Sequence, residues 1–156
     1  MALKQGQVDA ISCWDPIGEM IAVDGGRVLF NQTTDERYAD EYCCVVTLRP
    51  EFVDEHPEAA AAFARAIQRG CDFVVENPEE ASRLQYEAGL FPGDDLEMNA
   101  RLLASYNFKG ELEGARKSVE LVTQDLVNLK IIDIDVSAKE FADNMFRRIP
   151  GLEEPK

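Results

Sequence analysis

An α/β fold, a short and mostly parallel sheet accompanied by many helices, is what the sequence predicts. Two apolar runs, Val8 to Cys13 and Arg27 to Asn31, flank an amphipathic stretch, and this strand–helix–strand order is that of parallel sheets. A third run, Tyr42-Cys43-Cys44-Val45-Val46-Thr47-Leu48, is β-branched and apolar enough for a strand buried on both faces. From His56 onward the apolar pattern is helical throughout.

Leu3 to Gly6 reads as the last turn of a helix stopped by glycine. After the first strand, Asp15-Pro16 supplies an N-cap acceptor and a first-turn proline, opening a helix that runs to Asp24 and ends at Gly25-Gly26. A polar connection, Gln32 to Asp40, leads into the third strand. His56-Pro57 begins a long helix with Ala60, Phe63, Ala64, Ile67, Cys71, Val74 and Val75 on one stripe, stopped at Asn77-Pro78. Further helices are predicted near Glu79 to Ala88, Asp94 to Ser105 and Ala115 to Leu129. Ser137 with Glu140 forms a capping box for a last helix carrying Phe141 and Met145. No repeat or low-complexity linker divides the chain, yet three short strands make a sheet too small to be covered on both faces.

The 156 residues carry 16 basic and 30 acidic side chains, a formal charge of -14 that repels phosphate backbones and anionic headgroups. Nucleic acid and membrane surfaces are therefore excluded as expected partners. No apolar run approaches the ~20 residues that span a bilayer. The N-terminus lacks a basic segment followed by an apolar stretch, so the chain as it stands reads as soluble and unexported.

The chemical inventory is thin. Cys13, Cys43, Cys44 and Cys71 form neither a CxxC pair nor a Cys/His cluster, so no metal site and no dithiol redox motif is expected. The lone His56 sits before a proline at a helix start and reads as a surface cap, and no glycine spacing matches a phosphate-cradling loop. No catalytic residue and no cofactor is expected. What remains is the junction Ser12 to Pro16, where a strand end meets a helix start, the place at which ligands collect in open parallel sheets. Trp14, the only tryptophan, offers either a rigid aromatic face there or a core anchor. Asp15 is either a ligand contact or a plain cap.

The ordered pieces carry a resemblance. They are Gly6-x-Val8-Asp9-Ala10, Trp14-Asp15-Pro16, Gly25-Gly26-Arg27-Val28-Leu29, and the segment Arg49-Pro50-Glu51-Phe52-Val53-Asp54-Glu55-His56-Pro57-Glu58-Ala59. In this order the chain resembles the nitrate/sulfonate/taurine-type solute-binding proteins of ABC transporters, a group that includes thiamine-precursor binders. The resemblance implies two α/β lobes joined by hinge strands, with the chain similar to the C-terminal half only. Residues 1–40 then match the end of the second lobe, and residues 41–156 a hinge strand with the helical part of the first lobe. It implies ligand-binding positions at Asp9, Cys13, Trp14 and Asp15, with Tyr42 and Cys43 near the hinge. It further implies a small-molecule ligand, an ABC permease as partner, no enzyme activity, and a periplasmic or extracellular membrane-associated location.

Two other functions are open on the residues. One is a ligand-free homodimeric interaction module, because a half-protein with exposed sheet edges is expected to pair with a second copy or to be poorly soluble. The other is an enzyme similar to the thiamine-precursor synthases with Cys13 or Cys43 as nucleophile, for which His56 is a poorly placed base.

Overall fold

A computed structural model describes residues 2–39, 41–108, 110–146, 149 and 152. Seven helices are present among the described residues: α1 (Ile17–Val23), α2 (Pro50–Glu55), α3 (Pro57–Glu76), α4 (Pro78–Glu87), α5 (Leu96–Ser105), α6 (Leu112–Asn128) and α7 (Ala138–Met145). No strand occurs among them. The α/β expectation is therefore corrected: the described fold is all-helical, and the short, mostly parallel sheet is absent.

The physical reason lies in what a strand requires. A strand closes its backbone hydrogen bonds only on a neighbouring strand, and every other described segment is helix or loop. Val8 to Cys13, Arg27 to Asn31 and Tyr42 to Leu48 remain non-helical and join no ladder. Most of their apolar side chains stay in solvent, with Leu29 at 72% and Val46 at 57% exposure, while Tyr42 and Leu48 are half-buried. The three runs are apolar, but the strands and the sheet expected of them are not formed.

The chain divides into two compact units, Met1–Asn31 with Asn77–Tyr106, and Gln32–Glu76 with Asn107–Lys156. In the first, α4 packs on α5, and Ile21, Ala81, Phe91, Met98 and Ala100 make up the buried apolar set. A buried polar chain ties these two helices together. Ser82 donates through its hydroxyl to the Leu96 carbonyl at 2.9 Å, and Asn99 Nδ2 donates to Ser82 Oγ at 3.1 Å and to Gln85 Oε1 at 2.8 Å. Asp95 caps α5, accepting from the Met98 amide at 2.8 Å.

In the second unit α6 packs on α7 and α2 on α3, with Ala60, Ala61, Ala115, Ala138 and Ala142 buried. Pro50 and Pro57 stand in the first turns of α2 and α3, where a missing amide costs nothing. Ser137 caps α7 by accepting from the Glu140 amide at 3.1 Å. The predicted stripe of α3 is buried only near its start, since Phe63, Ile67 and Val75 are exposed.

Arg116 on α6 joins that helix to α7, donating to Glu113 at 3.0 Å and Glu120 at 3.1 Å on its own helix and to Asp143 at 3.0 Å on α7. The hydrogen bond from Arg116 holds the Glu113 carboxyl below its usual range. Lys139, and then Arg116, do the same for Asp143. Carboxyls depressed in the folded state contribute stability that is complete above their unfolded pKa values and lost as pH falls through the folded ones. Protection factors of amides at the α6–α7 contact, each rate taken against the intrinsic exchange rate at that pH, are therefore expected to hold from neutral pH down to about 4.5 and to fall below about 4. An Arg116→Met variant should lose most of that acid-induced change; if it keeps the full change, the ion cluster is not its source.

Candidate functional site

The candidate site in the first unit starts from the turn that feeds α1. Ser12, Cys13 and Trp14 run in without helical or strand bonding, the Asp15–Pro16 peptide is cis, and α1 begins at Ile17. Asp15 is not the residue immediately before the helix; that position is held by Pro16. Its side chain still caps the helix, because Oδ1 accepts from the Glu19 amide at 3.2 Å. Gly18 makes room for this, since a Cβ there would stand 3.0 Å from Asp15 Oδ1 and 3.7 Å from Cys13 Sγ.

The second carboxylate oxygen of Asp15 accepts from the Tyr106 hydroxyl at 2.5 Å. Tyr106 directly follows α5, so the turn is latched to a residue 91 positions away. An O–H bond to a carboxylate is of the charge-assisted kind. Both oxygens of Asp15 are thus engaged within the fold, and the group positions the turn.

Trp14 behaves in the opposite way. It is 81% exposed, so it is an open aromatic face and not a core anchor. Cys13 and Asp9 are also exposed. Neither of two shallow depressions in this unit takes in any of the four. A depression of about 430 Å³ lies among Pro78, Leu96, Ala100 and Arg101, and one of about 180 Å³ among Met20, Asp24, Asp94 and Met98.

In the second unit Tyr42 is half-buried and fixed at both ends. Its amide donates to Ser118 Oγ at 2.8 Å, and its hydroxyl accepts from the Glu111 amide at 2.9 Å. Gly114 allows this seat, because a Cβ there would approach Tyr42 Cε2 to 2.8 Å. Cys43 and Cys44 follow in solvent with their sulfurs 3.7 Å apart. The hydrogen bond it shares with Cys44, with smaller contributions from burial and the charge interaction with Cys44, raises the Cys43 pKa. A second cluster in this unit joins Arg37 to both oxygens of Asp125 at 2.7 and 2.8 Å, with the guanidinium over the Tyr38 ring at 5.1 Å. Both bonds leave one guanidinium nitrogen, and the acceptor is the protein's own carboxylate.

Among the described residues no group of three or more His, Cys, Asp or Glu side chains is arranged to hold a metal ion. No described helix is long and apolar enough to cross a membrane. His56 is exposed at the end of α2, its ring centroid 5.5 Å from that of Phe52. Sequence reasoning missed Tyr106, Gly114 and Ser118, the residues that hold Asp15 and Tyr42 in place. Each is distant along the chain from what it holds, and no local pattern announces the pairing.

Comparison with known proteins places these residues in a family context. A family model described as NMT1/THI5 like matches residues 1–81, a stretch that contains Asp9, Cys13, Trp14, Asp15, Tyr42 and Cys43. Over 98% of its length the chain is 24% identical to a protein of Bacillus subtilis (strain 168) described as an aliphatic sulfonates-binding protein. The chain covers 45% of that relative. No solved structure matches.

Proposed function

Because the chain belongs to the NMT1/THI5-like family, we propose that it forms part of a solute-binding protein serving an ABC importer, with a small sulfonate or similarly sized anion as ligand. The observation that carries this reading is Trp14 within the matched stretch, an exposed aromatic face beside a turn that Tyr106 fixes; in this proposal Asp9, Cys13 and Asp15 join it as one wall of the ligand cleft. The sulfonate class follows the description of the Bacillus subtilis relative; nitrate, taurine and heterocyclic ligands are the neighbouring candidates. Tyr42 and Cys43 take a hinge-side role, residues 1–40 belong to one lobe and residues 41–156 to the other. The facing wall falls in the more than half of the relative that lies outside the alignment. The partner is then a permease, the location periplasmic or extracellular at the membrane, and the activity binding without chemical turnover.

A second reading, a homodimeric interaction module without ligand, is favoured by the three exposed apolar runs that join no ladder. Such runs are templates for strand pairing. Thermal melting with ethanesulfonate, taurine, nitrate and a pyrimidine, run alongside light scattering, separates the two. Ligand at about 100 times its dissociation constant adds roughly 2.7 kcal/mol to stability, so a sulfonate-specific rise in Tm is expected. No rise with any of the four ligands, together with a concentration-dependent dimer, would replace the first reading by the second.

A further inference from the structure

We propose that Cys43 and Cys44 constitute a vicinal dithiol site that captures a trivalent organoarsenical through both sulfurs. Both thiols are free and exposed, and 3.7 Å separates their sulfur atoms, with the Cys44 thiol donating to the Cys43 sulfur. Adjacent side chains in a strand point to opposite faces, so this contact depends on the non-strand backbone that the segment adopts here.

That backbone is held from one side. Tyr42 is pinned to Ser118 at its amide and to Glu111 at its hydroxyl, and its ring lies where a Cβ on Gly114 would stand. A pair of donors ordered before the ligand arrives loses less freedom on binding than two donors on a free loop.

The donor set selects the ligand class. Sulfur donors favour soft acceptors, and no third His, Cys, Asp or Glu joins the pair among the described residues to complete the shell of a zinc-type ion. A mono-organo arsenic(III) oxide needs only two sulfurs. It is also uncharged, so a chain of formal charge -14 does not repel it. Capture is a condensation of the oxide with both thiols. Two S–H bonds and the arsenic–oxygen bonds break, two S–As bonds form, and the oxygen leaves with both protons as water. Arsenic stays trivalent and neither sulfur is oxidised.

Phenylarsine oxide at one equivalent, added to the intact reduced protein under argon, tests this by native mass spectrometry and thiol counting. The expected result is one adduct per chain, with two thiols lost from the count. The adduct should survive excess 2-mercaptoethanol and be reversed by a small dithiol. Cys43→Ser and Cys44→Ser should each abolish the monothiol-resistant adduct, while a Cys13→Ser/Cys71→Ser double variant should retain it. Both serine changes at 43 and 44 fall on exposed side chains, and circular dichroism checks that the helices are intact. A monothiol-resistant adduct that persists in either single variant, or an adduct that a monothiol strips from the parent protein, would overturn the assignment, as would the absence of any adduct.

Discussion

Asn99→Leu is expected to destabilise the first unit by about 2 kcal/mol, the range for removing one partner from a buried hydrogen-bonded set. Asn99 is 5% exposed and Ser82 fully buried, so the Ser82 hydroxyl oxygen stranded by the change cannot turn to water, while Gln85 on the half-buried rim can do so in part. Leucine keeps the branched shape but offers no donor to Ser82 Oγ or Gln85 Oε1. Ser82 retains its bond to the Leu96 carbonyl, and for that reason the loss should stop short of unfolding. A urea midpoint lowered at unchanged slope would report this. Because Asn99 and Ser82 share a bond, the Asn99→Leu/Ser82→Ala double variant should lose less than the two single losses added. Strict additivity would mean that the polar chain does not act as a unit.

Trp14→Ala is expected to separate binding from stability. At 81% exposure the indole contributes little to packing, and the melting transition should stay within about 0.5 kcal/mol of the parent. Under the proposed function the same change removes the aromatic face of the ligand wall. Sulfonate affinity should fall about tenfold or more, the equivalent of roughly 1.4 kcal/mol. Trp14→Phe should recover part of it. Titration calorimetry of the two variants with ethanesulfonate checks the order; a Trp14→Ala protein that binds as the parent does would remove Trp14 from the site.

These two residues also show why one part of the candidate site was readable and another was not. Trp14 and Asp15 stand out locally as a lone tryptophan and an acidic cap before proline, and such signals lie within a few residues of each other. Cys43 and Cys44 are adjacent in sequence, yet the 3.7 Å sulfur contact depends on backbone that the strand expectation would have forbidden. Tyr106 holds Asp15 from 91 residues away, and Ser118 holds Tyr42 from 76. Pairings of that kind depend on how the helices pack and leave no periodicity to read.

The sequence by itself determined the helices from α3 onward and their stops at Asn77-Pro78 and Gly89, together with the Ser137 cap, because helical hydrogen bonds close within about four residues and local pattern suffices. It also determined which runs are apolar, and the order of pieces that carries the family resemblance. The tertiary structure alone decided whether those runs became strands, since a ladder needs a second strand to accept its bonds. It likewise decided that Trp14 faces solvent and that Asp15 spends both oxygens on Glu19 and Tyr106. Burial and side-chain pairing are properties of what lies opposite a residue, and only the packed chain specifies that.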